Sequence, residues 1–214
     1  MPQDTLHSAA LDAVMSAAPV IPVIVIERAD DAVPLARALV QGGLRVLEVT
    51  LRTPAALEAI GAMAAVEGAI VGAGTVLDAQ QYEAAAAAGA QFMVSPGLTE
   101  ALAAHARGHR VPLLPGVATA SELMRARELG FSRLKFFPAE SAGGANALKG
   151  FASVFRDLRF CPTGGITAAS APSYLALPNV ACVGGSWLTP ADAVAARDWA
   201  RVEQLARQAA ALRA

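Results

Sequence analysis

The chain predicts a single (β/α)8 barrel, and three observations carry that prediction. Eight short apolar β-type runs begin near Val20, Arg45, Ala69, Gln91, Val111, Arg133, Arg159 and Val180. Successive starts lie about 20 to 26 residues apart, the length of one strand, one helix and two loops. Ala-rich segments with helical periodicity fill the gaps, and no linker or shift in composition divides the 214 residues. An open doubly wound sheet is the competing architecture. It would usually carry a Gly-rich fingerprint after its first strand, and Pro22-Val23-Ile24-Val25-Ile26-Glu27 has no glycine.

In chain order, residues 1–18 read as an extra helix before strand one. Helical segments follow at 30–41, 54–66, 78–88, 98–107, 119–129 and 145–155, and a last helix is expected over 190–212. Asp30, Thr53-Pro54, Asp78, Thr99 and Thr119 read as helix starts, because a short side-chain acceptor or an early proline suits the first turn. Gly42-Gly43, Gly89 and Gly130 read as stops. Prolines close four successive strands, at Pro96, Pro115, Pro138 and Pro162, since proline has no N–H to continue a ladder.

Bulk properties narrow the function. A hydrophobic content of 55% gives ample core, and a net charge of −1 offers no basic field for nucleic acid. The N-terminal segment carries Asp4 and Asp12 and no Lys or Arg, so it lacks the positive region of a signal peptide. The apolar run from Pro19 to Ile26 is too short to span a bilayer. Cys161 and Cys182 are expected to be reduced, buried thiols. The expectation is a soluble cytoplasmic protein.

The chemistry should collect at the C-terminal ends of the strands. Lys135 is one of two lysines, and it lies inside the apolar run Arg133-Leu-Lys-Phe-Phe-Pro138. A lysine flanking a strand can snorkel to water as a purely structural residue. An apolar setting, however, disfavours the ammonium, and a neutral amine is a nucleophile for Schiff-base chemistry. Strand two ends Glu48-Val49-Thr50-Leu51-Arg52, and side-chain alternation puts Glu48, Thr50 and Arg52 on one face. Strands two and six stand opposite each other in an eight-stranded ring, so Glu48 and Lys135 can meet near its axis. They would form either a buried ion pair or a shared catalytic centre.

Gly72-Ala73-Gly74 should let a substrate approach the backbone, with Thr75 supplying a hydroxyl. Thr163-Gly164-Gly165 and Gly184-Gly185-Ser186 end the last two strands, where phosphate binds in many such barrels. Glycine lets consecutive N–H groups converge on an anion, whereas a single Gly-Gly pair is more often a turn. His7, His105 and His109 read as surface residues. No His/Cys/carboxylate spacing suggests a metal, and no cofactor is expected.

Together these segments resemble the 2-keto-3-deoxy-6-phosphogluconate aldolases, which also cleave 4-hydroxy-2-oxoglutarate. The resemblance covers nearly the whole chain. It rests on Glu-Val-Thr-Leu-Arg-Thr (48–53), Gly-Ala-Gly-Thr-Val (72–76), Ser-Pro-Gly-Leu-Thr (95–99), Lys-Phe-Phe-Pro-Ala-Glu (135–140), Cys-Pro-Thr-Gly-Gly-Ile (161–166) and Gly-Gly-Ser-Trp (184–187). It implies a class I aldolase of the Entner–Doudoroff pathway, a (β/α)8 fold, a homotrimer and no cofactor. It further implies Lys135 as the Schiff-base amine, Glu48 as general base and Arg52 with Thr75 as the carboxylate clamp. Pro96 and Phe137 would line the pyruvyl pocket, and Gly164, Gly165 and Ser186 would hold the phosphate with Thr163 and Gly185 nearby. The C4-epimeric galactonate substrate, a phosphate-binding barrel isomerase and a non-catalytic sugar-phosphate sensor are the other readings.

Overall fold

The computed structural model describes residues 3–213. The rest of the predicted N-terminal helix, residues 1–2, lies outside the described residues. Helix α1 spans Gln3–Ser16, and strand β1 follows at Val20–Ile24. The remaining strands are β2 Val46–Thr50, β3 Ile70–Gly74, β4 Phe92–Val94, β5 Leu113–Leu114, β6 Gly116–Val117, β7 Arg133–Phe136, β8 Arg159–Pro162 and β9 Val183–Gly185. The helices between them are α2 Ala32–Gln41, α3 Ala56–Ala64, α4 Ala79–Ala87, α5 Glu100–Gly108, α6 Ala120–Glu128, α7 Gly144–Val154 and α8 Ala171–Leu175. Helices α9 Ala191–Ala195 and α10 Trp199–Ala210 come last, followed by a 3-10 turn at Ala211–Arg213.

All strand pairs are parallel, and they form two sheets, ordered β5-β4-β3-β2-β1-β9 and β6-β7-β8. Isolated parallel bridges join Phe160 to Val180 and Thr163 to Gly184, linking the second sheet to the first near β9. The predicted fifth strand is two short pieces, because Pro115 between Leu114 and Gly116 cannot donate to the ladder. The last strand begins at Val183, and Val180 lies outside it, bridged to Phe160.

The helices cover the outer faces of the sheets. One apolar cluster packs Leu35, Leu39, Ile60, Met63, Leu123 and Leu148 against strand residues such as Leu47, Val49, Val71 and Leu134. A second cluster joins Leu11, Val14 and Met15 of α1 to Ile21, Val46, Phe92, Val94, Leu114, Cys161 and Cys182. Helix α1 therefore caps the end at which the strands begin. Both cysteines are buried and form no disulfide.

Several helix starts follow local chemistry. Asp78 Oδ1 accepts from Gln81 N at 2.8 Å, and Thr99 Oγ1 accepts from Leu102 N at 3.2 Å. Thr119 and Glu122 form a reciprocal capping box at the start of α6. Gly43, Gly89 and Gly130 take φ values of 94°, 104° and 91° just past their helices.

Two expected starts are corrected. Thr53 donates to Ile26 O at 2.5 Å instead of capping, and α3 begins beyond it with Ala55 in the cap position. Asp30 lies within a short 3-10 turn, Ala29–Asp31, before α2. The expected helix over 190–212 is also broken: Arg197 sits at φ 54°, and Asp198 caps a new helix by accepting from Arg201 N at 3.1 Å. Helix α8 was not anticipated.

Candidate active site

The amine and the carboxylate meet. Lys135 Nζ donates to Glu48 Oε1 at 3.0 Å, and their side chains are 7% and 4% exposed. Register explains the encounter. Glu48 pairs with Val23 of β1 and Gly72 of β3, while Lys135 pairs with Gly116 of β6 and Cys161 of β8. Their side chains thus leave different sheets and converge. Lys135 Nζ also lies 5.3 Å from the centroid of the Phe137 ring, which shields one side of the amine.

Removing two charges from water costs several kcal/mol per ion, and apolar residues of equal volume are often as stable. A chain so rich in apolar residues gains little stability from such a pair, which favours a chemical use for it.

The glycines of β3 serve a different purpose from the one expected. A Cβ on Gly74 would overlap the Glu48 carboxyl group, and one on Gly72 would overlap the Phe92 ring. These small residues make room for neighbouring side chains rather than for a substrate at the backbone. Gly116 likewise admits the backbone of Pro96, placing that half-buried proline beside the register partner of Lys135.

Above the pair lies a cavity of about 270 Å³, lined by Val23, Arg52, Phe137, Thr163, Gly164, Gly165, Ile166, Gly184 and Ser186. That volume is near the lower end of small-molecule sites, which run from roughly 300 to 1,000 Å³. Lys135 and Glu48 are not in its lining; they sit buried beneath it. A larger hollow of about 480 Å³ lies among Val33, Arg37, Val40 and Ala62, on helices α2 and α3 away from the strand ends.

Arg52 is exposed, and its Nε donates to Thr75 Oγ1 at 3.4 Å. Thr75 adopts φ 62°, a left-handed conformation unusual for threonine, and strain of this kind clusters at functional sites. Gly164 and Gly165 take φ values of 106° and 78°, which only glycine adopts at little cost. Thr163 is buried, and Gly184 lies so close to its side chain that a Cβ there would overlap it. Ser186 is exposed at the cavity wall. Gly185 is buried, with its open face filled by the Trp187 ring.

The cavity thus gathers Arg52, Phe137, Thr163, Gly164, Gly165 and Ser186, with Thr75 reached through Arg52. Gly184, from the second expected glycine loop, lines it as well, and Val23 and Ile166 line it without having been anticipated. The alternation of β1 and the position of Ile166 directly after Gly165 were the signals that could have found them.

The histidines are corrected. His7, His105 and His109 are half-buried rather than on the surface. His105 Nε2 stands 3.1 Å from Glu83 Oε1, and His109 Nδ1 accepts from Val111 N at 3.1 Å. Both imidazoles pack edge-on against the buried Tyr82 ring, whose hydroxyl donates to Val111 O at 2.6 Å. Among the described residues, no group of three His, Cys, Asp or Glu is placed to hold a metal.

A buried amine paired with a carboxylate, beneath a polar mouth at the strand ends, suits the class of a carbonyl-directed lyase. The family described as "Aldolase: KDPG and KHG aldolase" matches residues 11–205. The 2-dehydro-3-deoxy-phosphogluconate aldolase of Zymomonas mobilis is 57% identical over 203 residues, 95% of this chain and 96% of that protein. The KHG/KDPG aldolase of Escherichia coli K12 is 54% identical over 199 residues, covering 92% and 93%. A crystal structure of KDPG aldolase from Legionella pneumophila, with pyruvate captured at low pH as a covalent carbinolamine intermediate, superposes with a TM-score of 0.92. It is 47% identical, over 94% of this chain and 98% of that one. The chain belongs to the KDPG and KHG aldolase family, and it is a carbon–carbon lyase.

Proposed function

We propose that this chain cleaves 2-dehydro-3-deoxy-6-phosphogluconate to pyruvate and glyceraldehyde 3-phosphate, and 4-hydroxy-2-oxoglutarate to pyruvate and glyoxylate. The observation that carries the reading is the 3.0 Å contact between Lys135 Nζ and Glu48 Oε1 beneath the cavity. Proton transfer along that hydrogen bond delivers a neutral amine. The amine attacks the C2 ketone, and Glu48 returns its proton to the carbinolamine hydroxyl, which leaves as water and yields the iminium with Glu48 again a carboxylate. Glu48, acting through a water, removes the C4 hydroxyl proton. The C3–C4 bond breaks, its electrons pass into the iminium, and the aldehyde leaves. The resulting enamine takes a proton at C3 from the Glu48 carboxyl, and hydrolysis returns pyruvate and Lys135.

Arg52, supported by Thr75, holds the substrate carboxylate in a charge-assisted contact. Pro96 and Phe137 line the pyruvyl end and keep the iminium dry. Gly164, Gly165 and Ser186 bind the distal phosphate, with Thr163 and Gly185 adjoining. The left-handed glycines and the exposed Ser186 hydroxyl at the cavity wall support that assignment. The captured carbinolamine of the Legionella aldolase and the names of the Zymomonas and Escherichia relatives support the chemistry and both substrates.

The same proposal takes the two sheets as one closed eight-stranded (β/α)8 barrel and the chain as a single domain. The bridges near β9, and the interruption of Leu113–Val117 by Pro115 alone, support closure. The family resemblance supports a homotrimer. A cytoplasmic place fits the finding that no helix among the described residues is long and apolar enough to cross a membrane.

Borohydride with pyruvate should add one reduced three-carbon adduct, located by peptide mass at Lys135. An adduct at Lys149 alone, or none, would reject the mechanism. Pyruvate release from the gluconate-derived phosphate, its C4 epimer and 4-hydroxy-2-oxoglutarate then ranks the substrates.

A further inference from the structure

Glu140 ends the Lys-Phe-Phe-Pro-Ala-Glu segment, and the mechanism makes no use of it. The turn that carries it is stitched to the glycine loop: Ala139 N donates to Thr163 O at 2.8 Å, and Glu140 N donates to Gly164 O at 3.1 Å. A Cβ placed on Gly165 would come within 2.7 Å of Glu140 Cγ and 2.8 Å of its Cβ, so the stem of Glu140 lies directly on the loop. At its far end, Glu140 Oε1 accepts from the Tyr174 hydroxyl at 2.7 Å.

Tyr174 belongs to α8, the helix that follows the same loop, and it is 1% exposed. Burial, then the hydrogen bond to Glu140, pushes its phenol well above the ordinary value, so the hydroxyl remains a donor. A Cβ on Gly144, in the first turn of α7, would lie 3.4 Å from the Tyr174 hydroxyl and 3.8 Å from Glu140 Oε2. The carboxylate therefore also sits near a helix N-terminus, whose partial positive charge favours it.

Glycine has the largest conformational freedom of any residue, so two in succession do not hold N–H groups on an anion unaided. We propose that Glu140 and Tyr174 are positioning residues that lock the Gly164-Gly165 loop in its anion-binding shape and thereby set the preference for a phosphorylated substrate. The proposal rests on the phosphate-loop assignment above. The carboxylate is not a ligand, since it would repel a phosphate; it is a brace between the turn after β7 and helix α8.

The test is steady-state kinetics of Glu140→Ala, Glu140→Gln and Tyr174→Phe on the phosphorylated hexonate and on 4-hydroxy-2-oxoglutarate, with thermal unfolding of each variant alongside. Glu140 is exposed, so its variants keep the fold. Losing the hydrogen bond in Glu140→Ala or Tyr174→Phe should raise KM for the phosphorylated substrate about five- to tenfold. kcat, and both constants for the unphosphorylated substrate, should stay within about twofold of wild type. Glu140→Gln keeps the acceptor oxygen and should restore KM. Equal effects on both substrates, or none on either, overturn the proposal. Ser186→Ala separates the two levels: if it leaves KM for the phosphorylated substrate unchanged and the wild type shows no preference, the phosphate-loop assignment itself falls.

Discussion

Lys135 and Glu48 stand 87 residues apart in the chain and 3.0 Å apart in space. Each depends on the other, because a buried charge without its partner costs about 3–5 kcal/mol. Glu48→Gln keeps a hydrogen-bonding group beside the amine but removes the base. It should still form the imine slowly with pyruvate, while kcat falls about 10²- to 10⁴-fold; unchanged kcat in a coupled pyruvate assay would reject the general-base role. Gly74 matters for the same pair. Gly74→Ala would push the Glu48 carboxyl from its place, so activity should drop, along with about 1–3 kcal/mol of stability in denaturant titration. The meeting of Lys135 with Glu48 was legible because alternation and strand counting are regular. The service of Gly74 to Glu48 was not, because a glycine string carries no mark of which neighbour fills the space above it.

At the level of elements, the strand and helix pattern was read closely where local chemistry is strong. Asp78, Thr99 and Thr119 do cap their helices. Thr119→Ala removes the side-chain half of the α6 capping box, so unfolding free energy should fall by about 1 kcal/mol with kcat unchanged. Reading was poorer where a long-range contact overrides a local preference. Thr53 looks like a cap but spends its hydroxyl on Ile26 O of a neighbouring loop. The last helix breaks at Arg197, whose Nε lies 2.8 Å from the buried Asp31 carboxylate, an ion pair invisible in either segment alone. Helix α8 is only five residues long, too short to show a period, yet it carries Tyr174 to the Glu140 carboxylate.

For the molecule as a whole, helix α1 is part of the core rather than an appendage. Leu11 and Met15 are 3% and 1% exposed against Ile21, Phe92 and Cys161. Met15→Ala should therefore cost about 2–5 kcal/mol and move one cooperative transition seen alike by fluorescence and circular dichroism. Two separate transitions would contradict a single domain. Periodicity and motif spacing were enough, read along the chain, to indicate a repeated βα architecture, an amine opposed to a carboxylate and a glycine-rich rim at the last strand ends. Those properties repeat locally, every two residues in a strand and every strand–helix unit in the fold. Folding alone decided that the fifth strand divides at Pro115, that the β3 glycines shelter Glu48 and Phe92, that His105 and His109 pack against Tyr82, and that Glu140 lies on the loop at Gly165. Each of these depends on which side chains distant segments bring into contact, and no single segment encodes that geometry.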